Sequence, residues 1–207
     1  MARMKFICDA ERCIECNSCV TACKAEHDVP WGVNRRRVVT IDDGQPGEHS
    51  ISVACMHCTD APCLAVCPTN CIYHTEDGIV LHNKDQCIGC GYCSVACPFG
   101  APQFPSSGLF NHRGKMDKCT FCAGGPEANG SKAEYDKYGR NRLAEGKLPA
   151  CAEMCSTKAL LGGDGDLVAD IFRTRVLNRG KGSEVWGWGT AYGKPASPAQ
   201  QPKTGTK

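Results

Sequence analysis

The sequence predicts an α+β fold: two interleaved small units of β-hairpins and short helices, followed by an irregular C-terminal tail. Three observations carry that expectation. Eighteen of the 207 residues are cysteine, and sixteen of them fall into four groups of four. β-prone runs flank Gly-containing turns in two places, as in hairpins. One stretch, Asp166 to Asn178, spaces Leu167, Val168, Ile171, Val176 and Leu177 as a short amphipathic helix does.

The groups come first because the rest is arranged around them. They read Cys13-x2-Cys16-x2-Cys19-x3-Cys23, then Cys55-x2-Cys58-x4-Cys63-x3-Cys67 with Pro68 after it. The third is Cys87-x2-Cys90-x2-Cys93-x3-Cys97, followed by Pro98. The fourth is Cys119-x2-Cys122, 28 intervening residues, and Cys151-x3-Cys155. The first and third have the bacterial ferredoxin spacing that binds cubane iron–sulfur clusters. Three closely spaced cysteines wrap one corner of a cube. The fourth leads away from it and serves the neighbouring cluster, so groups pair reciprocally. Sixteen thiolates then hold four [4Fe–4S] clusters. Zinc explains a single Cys-x2-Cys equally well, but not four groups with two complete runs. A disulfide scaffold would be expected to follow an export signal, and the N-terminal residues show no apolar run of that kind.

Two cysteines stand apart. Cys71, four residues past Cys67, aligns with Ala101 past Cys97 and Ala159 past Cys155, so it reads as a buried stand-in for alanine. Cys8 reads as a strand residue packed under the first cluster. Neither is expected to be a ligand. With the cysteine count complete, His57 and His112 are not expected to be ligands, and Tyr92, Phe99 and Phe121 read as packing against clusters. Lys24, Arg113, Lys115 and Lys118 lie near cluster cysteines in sequence and are candidates for raising cluster potentials. The run Arg35-Arg36-Arg37 reads as a solvated face or a partner contact.

Pairing of the groups divides the chain. Residues 50–108, with groups two and three, form an inner ferredoxin-like unit whose hairpin is Ile72–Thr75 and Ile79–Leu81 about Glu76-Asp77-Gly78. Residues 1–30 and 109–165, with groups one and four, form the outer unit. Residues 31–49 link them in a second hairpin, Arg37–Ile41 with Ser50–Val53. The insert 123–150, containing Tyr135 and Tyr138, is either a solvated loop or a docking surface. Residues 166–207 hold the helix and a Gly- and Pro-rich tail. Its Trp186, Trp188 and Tyr192 either anchor a partner or pack back, and the last residues are expected to be disordered.

Function follows from coordination. A cubane held by four cysteines has no open iron site, so its work is one-electron transfer, and no catalytic residue is assigned. No nucleophile–base arrangement, nucleotide loop or flavin motif accompanies the clusters. The chain therefore reads as a non-catalytic subunit. Its formal charge of +2 gives no reason to expect nucleic acid, and four clusters bring it to about −6. No apolar stretch reaches the ~18 residues of a membrane span.

These residues resemble a known family. The four-group layout, with Cys-Met-His-Cys-Thr-Asp-Ala-Pro-Cys in group two and a split fourth group, is similar to the electron-transfer β subunits of molybdopterin oxidoreductases. Met116-Asp117-Lys118-Cys119-Thr120-Phe121-Cys122 and the length resemble the β subunit of a formate dehydrogenase. The resemblance runs over residues 3–192. It implies one cluster on Cys13, Cys16, Cys19 and Cys155, and a second on Cys23, Cys119, Cys122 and Cys151. It implies a third on Cys55, Cys58, Cys63 and Cys97, and a fourth on Cys67, Cys87, Cys90 and Cys93. It further implies a catalytic α subunit with a molybdenum or tungsten pterin, where formate becomes carbon dioxide. A cytochrome b-type membrane subunit or a soluble acceptor would take the electrons. An exported complex on the periplasmic side of the membrane is the expected location, with the cytoplasm as the alternative. Nitrate, sulfoxide or polysulfide reductases, or a stand-alone polyferredoxin, are the competing functions.

Overall fold

A computed structural model describes residues 3–107, 112–127 and 131–179. Trp186, Trp188, Tyr192 and the rest of the expected tail lie outside the described residues. In chain order the elements are β1 (Met4–Cys8), α1 (Ser18–His27), β2 (Arg36–Ile41), β3 (His49–Ala54), α2 (Pro62–Ala65), β4 (Ile72–His74) and β5 (Val80–His82). There follow α3 (Tyr92–Ala96), β6 (Ser106–Ser107), β7 (His112–Arg113), α4 (Lys132–Tyr138), α5 (Ala150–Glu153), β8 (Leu160–Asp164) and α6 (Gly165–Leu177). The result is a small α+β protein of short elements.

Among the described residues every sheet is a two-stranded antiparallel ribbon: β1 with β8, β2 with β3, β4 with β5, and β6 with β7. Three are local hairpins. The fourth ties the chain's beginning to its far end, with Met4 opposite Asp164 and Cys8 opposite Leu160. Both sequence-read hairpins are present. In β4–β5, Tyr73 faces Leu81, and Gly78 takes φ +71° to turn the chain, a conformation open to glycine at little cost. Helix α6 spans nearly the expected stretch because Asp164 caps it, its carboxylate accepting from the backbone N–H of Asp166 and Leu167 at 2.9 and 3.2 Å.

Ribbons this small bury little by themselves, and the core forms between them. Phe6 on β1 packs into three separate apolar groupings, two of them rich in cysteine. Its ring lies 4.2 Å from that of Phe121, which is fully buried.

Two expectations change here. The insert 123–150 is more than a solvated loop: one side of its described part packs against the rest of the chain, while residues such as Tyr135 stay exposed. Tyr138, at the end of α4, is 1% exposed, and its hydroxyl accepts from the Lys84 backbone N–H at 2.5 Å. Arg140 and Arg142 both reach Glu26 on α1, at 2.6 and 3.2 Å, so the insert clasps the chain; Tyr135 alone of its two tyrosines stays exposed. The Arg35-Arg36-Arg37 run is not a solvated face either. Arg35 and Arg36 are buried, and Arg37 donates to the Phe99 carbonyl.

Arg35 meets the buried Asp117 through Nε at 2.5 Å and Nη2 at 2.9 Å, and Lys84 Nζ adds a third contact at 2.7 Å. Burial raises the Asp117 carboxyl, but Arg35 and then Lys84 hold it well below the usual carboxylate range. Removing that carboxylate leaves a buried guanidinium without its counter-charge. Asp117→Asn is expected to cost about 3–5 kcal/mol, read as a lower unfolding midpoint of the cluster-loaded protein. A midpoint within error of the parent would show that the pair contributes nothing net.

Candidate metal centres

Each Cys-x3-Cys pair starts on one short helix. Cys19 and Cys23 lie on α1; Cys63 lies on α2, Cys93 on α3 and Cys151 on α5, with Cys67, Cys97 and Cys155 just past the respective helix ends. Residues i and i+4 share a helix face one turn apart, so a single turn delivers two thiols to two successive places. The Cys-x2-Cys loops supply the remainder. Around Cys90, Gly89 and Gly91 both have positive φ (+71° and +89°), and a Cβ on Gly89 would stand 3.0 Å from the Gly114 carbonyl oxygen.

The fold brings the sixteen cysteines into four gatherings. Cys13 has Cys19, Cys155 and Cys16 as its charge neighbours. Cys122 has Cys151, Cys119 and Cys23. Cys55, Cys58, Cys63 and Cys97 line one pocket together with Ala61, Phe99, Ala101 and Lys118. Cys67, Cys87, Cys90 and Cys93 line another with Cys71, Phe104 and Met116. Charge neighbours also run between gatherings: Cys151 feels Cys19, Cys119 feels Cys55, and Cys93 feels Cys63. All eighteen thiols are free. Among the described residues no group converges tightly enough for a single ion; soft thiolates around a cavity suit an iron–sulfur cubane instead.

The leftover residues find plain roles. Cys8 closes β1, and its sulfur accepts from the Ser52 backbone N–H at 3.2 Å; burial pushes its thiol up to about 11. Cys71 is buried with its sulfur 3.4 Å from Cys67. Burial pushes the Cys71 thiol up to about 12. Burial also opposes ionisation of Cys67, but hydrogen bonds from Thr69 and Cys71 bring it down to about 7. Cys71 is thus a space filler whose sulfur stands within hydrogen-bond range of its neighbour. His57 Nδ1 accepts from the Val80 N–H at 3.1 Å, so that nitrogen is engaged. The side chain of His112 lies outside the described residues. Phe99 lines the third cavity, Phe121 stacks on Phe6, and Tyr92 is 60% exposed rather than packed.

Sequence reasoning missed His27. Its Nδ1 must donate to the Tyr138 carbonyl, 2.9 Å away, since a carbonyl only accepts, and Nε2 faces Cys122 Sγ at 3.1 Å. Burial pulls its pKa down to about 4. Only the fold of the insert, 111 residues on, creates that contact.

Sulfur in the second gathering is costly to ionise. Burial pushes Cys23 to about 12 and Cys119 to about 11. Nearby cations offset this. Of the four read from the sequence, Lys118 is fully buried, lines the third cavity and donates to the Val80 and Cys119 carbonyls. Arg113 donates to the Cys90 carbonyl at 3.1 Å, while Lys115 reaches the Asp85 carbonyl oxygen at 3.4 Å and Lys24 sits half-buried in the last turn of α1. Arg36 is the cation overlooked. Only the structure shows it: residues two apart share a strand face, and Val38 packs against cysteines.

Four thiolate gatherings in series define an iron–sulfur electron-transfer protein. Comparison agrees. Residues 49–134 match the 4Fe-4S dicluster domain. The chain is 63% identical to a formate dehydrogenase iron–sulfur subunit of Wolinella succinogenes over 92% of its own length and 97% of that protein's. It is 39% identical to the thiosulfate reductase electron transfer subunit of Salmonella typhi, over 73% of this chain and 71% of that one. It is 36% identical to the B subunit of the anaerobic dimethyl sulfoxide reductase of Escherichia coli, over 75% and 70% of the two lengths. The chain belongs to this family of iron–sulfur electron-transfer subunits, carrying four [4Fe–4S] clusters and no catalytic centre of its own.

Cysteines supply much of three of the five apolar groupings, so the clusters are part of the core. Anaerobic chelation of the iron is expected to abolish the cooperative thermal transition and much of the far-UV circular dichroism. An iron-free protein that melts like the loaded one would contradict this.

Proposed function

We propose that the chain is the electron-transfer subunit of a formate dehydrogenase, conducting single electrons from a pterin-containing catalytic subunit to a cytochrome, quinone or soluble acceptor. The observation that carries it is the unbroken series of thiol gatherings, joined to 63% identity with a formate dehydrogenase subunit across nearly the whole chain. When bound, each cluster supplies one-electron transfer. The protein's part is to hold sixteen thiolates and to seal the inner gatherings from water, while Cys16 and Cys90 at the two ends remain exposed. Those ends are the natural points of contact with partner subunits.

The ligand sets we propose are Cys13, Cys16, Cys19 and Cys155; Cys23, Cys119, Cys122 and Cys151; Cys55, Cys58, Cys63 and Cys97; and Cys67, Cys87, Cys90 and Cys93. Their support is the neighbour relations and the two lined cavities. They make two interleaved ferredoxin-like units, groups two and three inside groups one and four; the β1–β8 ribbon supports the outer unit. Attachment to a membrane would be through a partner, as no helix among the described residues is long and apolar enough to cross one. Periplasmic location, exported folded with the catalytic subunit, completes the reading; its support is the family resemblance.

Two experiments follow. Native complex isolated anaerobically through this subunit is expected to contain about sixteen irons per copy with molybdenum or tungsten, and formate is expected to bleach its cluster absorbance. Iron without either metal would favour a free polyferredoxin; iron with one of them but no formate bleaching would favour another molybdopterin oxidoreductase. Cys90→Ala is expected to remove one cluster and stop reduction of the distal acceptor, whereas Cys71→Ala retains all the iron. Full iron in the first variant, or about four irons lost in the second, would refute the corresponding assignment.

A further inference from the structure

Arg36 is 2% exposed. It opens β2 on the face that carries Val38 into the cysteine core, directly across from Ala54. Its guanidinium lies over the Phe6 ring, 4.3 Å from the centroid. Nη1 donates to the Ser52 hydroxyl at 3.0 Å, and that hydroxyl stands 3.2 Å from Cys19 Sγ. A guanidinium cannot accept, so Ser52 Oγ is the acceptor there and its own hydrogen is free for sulfur. A chain of donors therefore runs from Arg36 through Ser52 to Cys19.

The other end of the guanidinium meets sulfur: Nη2 is buried with no oxygen partner among the described residues, and the guanidinium hydrogen-bonds the Cys151 side chain, which lowers that thiol's pKa against its burial. Arg35, one residue earlier, has Asp117 as its counter-charge; no carboxylate among the described residues pairs with Arg36. The groups that feel its charge are Cys151 first, then Cys119, Cys23 and Cys19. Three belong to the second gathering and one to the first. A buried cation with no carboxylate beside it costs too much to be incidental unless sulfur carries the compensating charge, and arginine is the side chain that keeps its charge when buried.

We propose that Arg36 is a potential-setting residue: a fixed positive charge between the first and second cysteine gatherings that favours the reduced state of the cluster held by Cys23, Cys119, Cys122 and Cys151. Reduction adds one negative charge to that site. A nearby fixed cation in a low-dielectric interior lowers the free energy of the more negative state, which raises the reduction potential. Through Ser52 the same residue directs a hydroxyl hydrogen toward Cys19, and hydrogen bonds to sulfur act in the same direction. This role rests on the ligand sets proposed above.

The test is redox-poised EPR of the anaerobically purified complex, with iron content measured on every sample. Arg36→Met removes the charge at similar length, Arg36→Gln removes it while keeping a donor for Ser52, and Arg36→Lys keeps it. With wild-type iron, the Met and Gln variants are expected to shift the midpoint of one cluster signal clearly negative. Arg36→Lys is expected to restore it toward the parent value, and Ser52→Ala to leave that signal in place while moving a different one slightly. Unshifted midpoints in fully loaded Met and Gln variants would overturn the proposal, as would a Lys variant displaced as far as Met. If Met and Gln both fail to load iron while Lys loads, Arg36 is a folding residue and the proposal falls. Fewer than four cluster signals in the wild type would overturn the ligand sets and this role with them; a normal wild type with unshifted variants overturns this role alone.

Discussion

One helical turn separates the two cysteines of every Cys-x3-Cys pair, and the rest of the architecture depends on that separation. Because i and i+4 lie on the same face about a turn apart, a short helix offers two sulfurs to two places at once. Four such helices join the gatherings in two couples, first with second and third with fourth, and Cys119 and Cys55 are the charge neighbours between the couples. The helices are short because they need nothing more: α2 and α5 have four residues each, and Pro68 and Pro98 follow the cysteines that end two of the pairs. Such pieces are not stable in isolation, so the metal centres and the fold are one cooperative object.

That object carries an electrostatic problem. Thiolates in a dry interior are unfavourable, and the second gathering has all four of its cysteines buried. Burial raises most of their thiols. The chain answers with buried cations, Lys118 beside the third cavity and Arg36 between the first and second gatherings, while Arg35 is tied to Asp117. At the two ends, where Cys16 and Cys90 meet solvent, water does part of this work. Conduction through the protein and stability of its core thus meet in the same few side chains.

The insert between the two halves of the fourth group shows how the scaffold supports the site from a distance. Tyr138, Arg140 and Arg142 bind it to α1 and to the turn after β5, and in doing so press His27 against Cys122. A segment with no cluster ligand of its own therefore shapes the surroundings of one sulfur.

The cysteine spacing by itself determined the number and kind of metal centres and the electron-transfer role, because ligand spacing is a local property of the chain. Both hairpins and α6 were legible for the same reason: turn glycines, alternation and an Asp cap act over a few residues. The burial of Arg35 and Arg36, the clasp formed by the insert and the contact of His27 with Cys122 were not legible. A run of three arginines has one local meaning, a solvated face, and only strand pairing with β3 decides that Arg36 points inward. Contacts between residues 27 and 138, or 36 and 119, depend on which surfaces the β1–β8 closure brings together. That is settled by the packing of the whole chain.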